Sequence, residues 1–545
     1  MKKRILSVLL ASAMVASLLA GCGGSDKKAD STTAAGDTAG EKQLAVQVGP
    51  DPETIDPALN SASDGGNMII TAFEGLLMNG EGDQIIEGCA EEWGVSEDGL
   101  TWTFKLREGL KWSDGSDLTA EDFVYSWKRV CDPALAAPYA ETVLNMVKGY
   151  DEAINGDLDA LAVTAEDDLT LVVELSAPCS YFENLVAFPT LYPVQQETVE
   201  ANGDAWAISA ETYITNGAFY ISEWVPGSHI LMTKNENYWN ADAVKLDSIK
   251  FALMEDSNAA YSAYQNGELQ MIKDVPTEEI PSLTGQDDFY VDPIIGTYYI
   301  SFNTSVAPFD NADVRKALSL AIDRDYVANT IMQGTYSPAY NFMGPGWLDT
   351  DGSQFMDNSN GGKTYISDDY DANVEEAKKL LADAGYADGL TVTYKTNDSG
   401  YHVPLAEYLQ QAWAEIGVTL TIETVEWSSF TADRRAGSFE IARNGWVGDY
   451  SDPSNMLELL YSTNGNNDGK YANPEFDAAI ELSRTTTDAA ERSQALHTAE
   501  DILMEDMGCC PVAYYNDFWL ESSDVEGLFH SAMGKWVFRF AVIAE

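Results

Sequence analysis

The chain has 545 residues, with 31 Lys and Arg against 88 Asp and Glu, and a formal net charge of −57 at pH 7. This charge excludes nucleic-acid binding through the overall field, because neutralising phosphates needs clustered cations. Hydrophobic residues make up 45% of the chain and aromatic residues 11%. That composition excludes a disordered acidic tail and predicts roughly two to four folded domains.

The N-terminus has the pattern of an export signal. Three cationic residues precede the apolar stretch 5–20, which predicts a signal peptide over residues 1–21. The stretch ends in Leu-Ala-Gly-Cys and resembles a bacterial lipobox, so Cys22 is the predicted lipidation site. Residues 22–42 are small and polar and predict a flexible tether. We therefore expect a body held at the extracellular face of the cytoplasmic membrane.

The remaining cysteines are Cys89, Cys131, Cys179, Cys509 and Cys510. Their number is odd and their spacings are scattered, so most are predicted to be small buried apolar residues. The sequence does not decide whether one disulfide forms among the first three.

The first half of the chain carries two clear local patterns. Polar and apolar residues alternate over 101–107, which predicts a half-buried strand. Residues 119–122 resemble a capping box, and apolar residues follow at helical spacing through Val130, which predicts a helix.

The second half alternates helix and strand patterns. The predicted elements are helices over 314–322, 374–384 (closed by Gly385) and 405–416 (ending at Gly417), strands over 390–394 and 418–422, and mainly strands over 212–254 and 286–304. A strand, a helix and a strand within about 35 residues form a βαβ unit with parallel strands. The predicted fold class is α/β, in more than one lobe.

Motifs for catalysis and nucleotide binding are missing from the sequence. It contains no G-x-S-x-G, H-E-x-x-H, C-x-x-C or P-loop pattern, and it has only four histidines. We therefore expect no enzyme activity, no cofactor and no metal site.

An ordered set of motifs resembles a known family. The motifs are FEGLL at 73–77, AEEW at 90–93, TWTFKLREGLKWSDGSDLTAEDFVYSWKR at 101–129, GAFY at 217–220, KNENYW at 234–239, FNT at 302–304 and AIDR at 321–324. Over residues 43–545 the chain is similar to extracellular solute-binding protein family 5, the oligopeptide- and dipeptide-binding proteins of peptide ABC importers. The segment 101–129 is the most specific of these motifs.

The resemblance implies a two-lobed fold of the class II periplasmic-binding-protein type, with the ligand in the cleft between the lobes. It places lobe I at 43–75, 206–303 and 513–545. It places an extra inserted domain at 76–205 and the opposing lobe II at 304–512.

The segment 443–453 (RNGWVGDYSDP) is similar to the segment that holds the peptide in oligopeptide-binding members. The resemblance implies that Asp449 pairs with the N-terminal ammonium of the ligand through a charge-assisted hydrogen bond. The alternative is that Asp449 and Asp452 only set a turn before Pro453.

The remaining ligand-binding residues are also implied by the resemblance. Main-chain groups for an extended ligand are expected at Gly445, Trp446, Val447, Ser61, Ala62 and Ser63, and side-chain contacts at Tyr139 and Trp427.

Three further residues are expected near the ligand's C-terminal carboxylate. Arg434 and Arg443 match positions that bind it, because the guanidinium fork binds carboxylates bidentately. The alternative for either arginine is a surface ion pair in this acidic protein. His402 fits a further contact with this carboxylate if a one-residue gap is allowed.

The expected protein is a monomeric receptor that delivers peptides to an ABC permease of two membrane subunits with ATPases. One alternative keeps the fold and replaces the cargo by an oligosaccharide, a nickel chelate or haem. A second, from a different class, is an extracellular hydrolase.

Overall fold

A computed structural model of the protein describes residues 42–398 and 400–544. The predicted signal peptide, Cys22 and the tether before Lys42 lie outside the described residues. Within these ranges no helix is both long enough and apolar enough to cross a bilayer.

The described strands are numbered β1 to β21 in chain order. They are Gln43–Gln47, Leu77–Asn79, Ile85–Glu87, Ala90–Val95, Thr101–Leu106, Val163–Asp167, Thr170–Glu174, Phe219–Val225, His229–Lys234, Ser248–Ala252, Met271–Ile272, Phe289–Phe302, Tyr336–Pro338, Leu390–Asn397, Val418–Val425, Ile441–Val447, Cys510–Glu521, Val525–Glu526, Phe529–Ser531, Lys535–Val537 and Val542–Ile543.

The described α-helices are numbered α1 to α17. They are Ser63–Ala72, Ala120–Val130, Ala140–Leu144, Tyr150–Ile154, Phe182–Val186, Gln196–Asn202, Ser257–Gln265, Ile280–Leu283, Ala312–Leu320, Arg324–Tyr326, Phe355–Asn358, Tyr370–Asp383, His402–Glu415, Trp427–Arg435, Pro453–Leu457, Pro474–Thr485 and Ala489–Glu505.

The predicted patterns correspond to observed elements. The strand at 101–107 is β5, and the capping box at Thr119 is formed with Asp122 at the start of α2. The predicted βαβ unit is β14, α13 and β15, and its two strands are parallel. The helix predicted over 314–322 ends earlier, at Leu320, because Asp323 caps the next short helix, α10.

One mixed sheet of eleven strands organises the molecule. Its order is β15-β14-β16-β12-β17-β11-β1-β10-β9-β8, and β13 also pairs with β17. The long antiparallel strands β12 and β17 sit in the middle and connect the two ends of the sheet, with a register shift between Pro293 and Thr297. Strands β4 to β7 form a separate four-stranded sheet.

Two large apolar cores lie on either side of these connecting strands. The first runs from Leu44 to Met271 and takes in Trp519 to Ala541, and the second runs from Ile295 to Ala513. The predicted inserted domain shares the first core with the predicted lobe I. This arrangement is that of a two-lobed α/β fold, while the exact domain limits stay a prediction.

Buried polar contacts explain why two of the sequence motifs occur together. The Glu74 carboxylate, in the first motif, is buried and accepts hydrogen bonds from the Tyr238 hydroxyl at 2.5 Å and the Trp239 indole at 2.6 Å. Arg539 completes the group, with Nη1 3.2 Å from Glu74. A buried carboxylate needs such partners, so the residues constrain one another.

The five cysteines of the described ranges are all buried, and all are free thiols. The prediction that they are small buried residues is confirmed. Cys89, Cys131 and Cys179, among which the sequence allowed one disulfide, form none in the described structure.

Candidate ligand-binding site

A cavity of about 260 Å³ brings together residues from distant parts of the chain. Six of the predicted ligand-binding residues line it: Ser61, Ala62, Ser63, Tyr139, Val447 and Asp449. They come from the predicted lobe I, inserted domain and lobe II. The cavity therefore lies where the resemblance places the interlobe cleft.

Asp449 follows β16 and is half-buried at the cavity wall. Its carboxylate forms no ion pair with any residue that the structure describes. Burial raises its pKa, and a side-chain hydrogen bond with Asn455 opposes that rise. Burial raises the pKa of the Tyr139 hydroxyl, and the negative charge of Asp449 raises it further. A partly buried carboxylate that forms no ion pair with the described residues favours a cationic ligand.

Asp452 has a different role from Asp449. Its carboxylate accepts a hydrogen bond from the Ser454 N–H at 2.9 Å at the start of α15 and pairs with Arg492 at 2.7 Å. The turn before Pro453 is therefore set by Asp452, and Asp449 is left without this structural task.

Strand β16 has a free edge beside the cavity. On one side it pairs with β12 along its whole length, whereas β14 pairs with it only at Ile441 and Ala442. The Gly448 N–H donates to the Ile295 carbonyl at 2.6 Å. By the alternation of antiparallel pairing, the main-chain groups of Gly445 and Val447 then point away from β12. They face an edge where no described strand lies. The Gly445 N–H donates to the Asn444 side-chain oxygen at 2.9 Å, so the Gly445 carbonyl and the Val447 main chain are the groups left at this edge.

The segment 61–63 also lines the cavity and leads into α1. Ala62, the residue before the helix, has extended backbone angles (φ −116°, ψ 152°) and gives no side-chain cap. The cavity is thus lined by extended backbone at Ala62 and at Val447, the end of β16.

Trp446 and Asp449 share one partner that the sequence analysis missed. The Asn455 side-chain oxygen accepts hydrogen bonds from the Trp446 indole at 3.1 Å and the Asp449 N–H at 3.3 Å. Asn455 lies in α15, and its role depends on a chain reversal that no local pattern indicates.

The structure places Trp427, Arg443 and His402 in a neighbouring cluster, outside the lining of this cavity. The Arg443 guanidinium lies 5.1 Å from the Trp427 ring, and its Nε donates to Asn397 at 2.9 Å. Its two Nη groups have no hydrogen bond or ion pair with the described residues. The Tyr298 hydroxyl lies 3.1 Å from His402 Nδ1, and burial together with Arg443 lowers the pKa of His402 to about 4.

Arg434 is already occupied by protein groups. Its Nε lies 2.8 Å from the buried Asp468 carboxylate, and its Nη1 donates to Asn444 at 2.7 Å. Arg434 therefore forms an ion pair, but a buried one and not the surface pair of the alternative, whereas Arg443 forms none with the residues that the structure describes. Among the described residues, Arg443 is the better placed of the two for an incoming carboxylate.

One arrangement resembles a hydrolase triad but is closed off. Ser359 Oγ lies 3.5 Å from His497 Nδ1, and His497 Nε2 lies 2.8 Å from Asp349. Ser359 is fully buried and donates to Glu500 at 2.5 Å. A nucleophile must reach its substrate, so this cluster does not support catalysis.

Comparison with known proteins decides the family. The profile described as "Bacterial extracellular solute-binding proteins, family 5 Middle" matches residues 84–468. The chain belongs to this family. The observed α/β fold with two cores agrees with the fold that the motifs imply.

Two relatives of similar identity differ in the ligand that their names state. The oligopeptide-binding protein OppA of Bacillus subtilis (strain 168) is 34% identical, over 99% of both chains. A protein of Escherichia coli (strain K12) described as probably deoxycholate-binding, YgiS, is 32% identical over 85% of this chain and 86% of its own.

Two solved structures give the conformational comparison. The unliganded open form of the murein tripeptide-binding protein MppA has a TM-score of 0.83 at 30% identity, covering 92% of this chain and 97% of its own. Haemophilus influenzae OppA in complex with the peptide RPPGFSPFR has a TM-score of 0.68 at 30% identity, covering 93% and 99%. The structure of this protein is thus more similar to the unliganded open form than to the peptide complex.

Proposed function

We propose that this solute-binding protein captures short peptides in the cavity beside β16 and delivers them to an ABC permease. The observation that carries the proposal is a carboxylate, Asp449, that has no ion pair among the described residues and lies next to a strand edge that no described strand covers. A peptide of any sequence offers one ammonium and a regular backbone, and the cavity has a complement for each.

The first contact is with the N-terminal ammonium. Hydrogen bonds to charged groups contribute roughly 1.5–3 kcal/mol net. That corresponds to a change in affinity of about 10- to 150-fold when the charge is removed from either partner.

The second contact is backbone pairing. A peptide strand that adds to the Gly445 carbonyl and the Val447 main chain uses its own amides and leaves its side chains free. The segment 61–63 of the cavity lining supplies further main-chain groups, and Tyr139 acts as a wall. This mode gives affinity that depends weakly on the ligand's sequence.

The third contact is at the other end of the ligand. Arg443 lies four residues before Val447 on β16, which is about 13 Å at 3.3 Å per residue. An extended peptide of about four residues spans this distance. Arg443 would bind its carboxylate, with neutral His402 and Trp427 beside it, whereas Arg434 would first have to leave Asp468.

The N-terminal sequence supports a location of the protein at the membrane surface. Lipidation of Cys22 and the tether to residue 42 would hold the body at the extracellular face of the membrane, near its permease. The role is binding rather than catalysis, and no cofactor is needed for it. The described residues contain no group of three or more metal-ligating side chains placed to hold an ion.

Calorimetric titration of residues 23–545 with tetra-alanine and acetylated tetra-alanine tests the proposal. We expect the free peptide to bind and the acetylated one to bind at least tenfold more weakly. Asp449→Asn should abolish that difference, and Asp452→Asn, which alters the neighbouring structural carboxylate, should retain it. Equal binding of both peptides to the wild type would contradict the anchor at Asp449.

A second candidate is a non-peptide solute in the same cavity. The relative described as probably deoxycholate-binding favours it, because its identity to this chain is close to that of OppA. Native mass spectrometry of the purified body distinguishes the two. Adducts of several masses that sequence as peptides support the first, and one discrete non-peptide adduct supports the second.

A further inference from the structure

A second charged group, Lys535 of β20, lines the same cavity as Asp449. Its ammonium makes no hydrogen bond or ion pair with any residue between 42 and 544 that the structure describes. The other cation of the lining, Arg539, is paired with Glu74 at 3.2 Å. Lys535 is therefore the cation of this lining whose charge is left for a ligand.

The position of Lys535 depends on a glycine of α1. A Cβ atom built on Gly66 would lie 3.0 Å from Lys535 Cε and 3.2 Å from its Nζ. The lysine side chain thus packs directly on the helix where a side chain is missing. This contact holds the ammonium at the cavity wall, near the uncapped start of α1 at Ala62.

The charged groups around Lys535 do not neutralise it. Burial and Lys273 lower its pKa to about 8, and Asp517 and Asp64 act in the opposite direction. Asp517 is itself 3.0 Å from His530, and Asp64 accepts a hydrogen bond from the Gly65 N–H at 2.7 Å. Among the described residues Lys535 and Asp449 form no ion pair with one another, so each charge is available to a separate group of the ligand.

We propose that Lys535 binds a carboxylate of the ligand and makes the cavity selective for peptides with an acidic group at one position. This inference rests on the proposed peptide function and adds the ligand class. The carboxylate has two possible sources, an Asp or Glu side chain and the C-terminus of a short peptide. The protein has a net charge of −57, and its overall negative field repels anions. An anionic ligand therefore needs a cation within the cavity to bind.

The test is a set of titrations with matched peptides. Tetra-alanine is compared with variants carrying Glu or Gln at each position, and di-alanine and tri-alanine are compared with their C-terminal amides. Wild type, Lys535→Met and the control Lys273→Met are used, since Lys273 lies beside Lys535 but does not line the cavity. All three should bind tetra-alanine, which shows that they are folded.

We expect the wild type and Lys273→Met to prefer Glu over Gln about tenfold at one position, or the free acid over the amide by the same factor. Lys535→Met should lose that preference. A lost Glu preference identifies a side chain as the source, and a lost acid-over-amide preference identifies the C-terminus. In the wild type the preference should fall as pH rises through about 8, because the ammonium loses its proton.

Two results overturn the inference and are distinguishable. If tetra-alanine binds but Lys535→Met keeps the wild-type ratios, or the wild type shows no preference, the role of Lys535 is wrong and the peptide function stands. If no peptide binds the wild type, the proposed function fails and takes this inference with it.

Discussion

The Tyr515 side chain packs closely against Gly445 of β16, and this contact can be tested by adding a single methyl group. A Cβ atom on Gly445 would lie 2.2 Å from the Tyr515 hydroxyl oxygen and 3.2 Å from Cζ of the same ring. The hydroxyl makes no hydrogen bond to the residues that the structure describes. Overpacking of this kind costs about 1–3 kcal/mol. We therefore expect Gly445→Ala to destabilise the protein by that amount.

Removing the hydroxyl should remove most of the clash. In a Tyr515→Phe background the nearest ring atom to the new methyl is 3.2 Å away, which is tight but tolerable after a small shift. Gly445→Ala should then cost less than about 1 kcal/mol, and the double-mutant cycle should give a coupling of about 1–2 kcal/mol. Peptide affinity should fall in the single alanine variant and recover in the double variant.

Urea denaturation of the four proteins measures this coupling. Gly94→Ala is a matched control, because Gly94 is also in a strand and has no atom within 4 Å of a built Cβ. It should change stability by less than about 0.5 kcal/mol. If Gly445→Ala costs the same with and without the Tyr515 hydroxyl, a clash with that hydroxyl is not the cause of the lost stability.

Three further predictions concern buried charges. Arg492→Met leaves Asp452 buried without its partner, and denaturation should show a loss of about 3–5 kcal/mol. Burial raises the pKa of Glu500 to about 7, above its value in the unfolded chain, because the folded protein favours the neutral carboxyl. The free energy of unfolding should therefore fall as pH rises from about 4.5 through 7. Glu500→Gln should flatten that profile. His402 should titrate near pH 4 by NMR, and Arg443→Met should move its pKa upward, since that charge now disfavours the imidazolium.

Local patterns predict much of the fold. Helix α13 and the parallel strands around it follow from apolar spacing alone, and Gly385 and Gly417 end two helices with positive φ angles of 95° and 85°, as their positions indicate. The early end of the helix at Leu320 was missed, because the cap at Asp323 competes with the apolar stripe that continues past it.

The candidate site could be predicted only through the resemblance. No spacing rule brings Ser61 to Asp449, almost 400 residues later. The ion pair that occupies Arg434 and the partner of Asp449 at Asn455 depend on side-chain approach across chain reversals. Lys535 gave no sequence signal, since a single lysine between apolar residues belongs to no binding motif.

The buried free thiols can report local unfolding of the two cores. Cys89, Cys131 and Cys179 belong to the first core, and Cys509 and Cys510 to the second. A thiol reagent reaches them only when the surrounding core unfolds locally. Pulsed alkylation followed by peptide mapping therefore times the opening of each half separately, without any added probe. A ligand that bridges both halves should slow labelling at all five positions together.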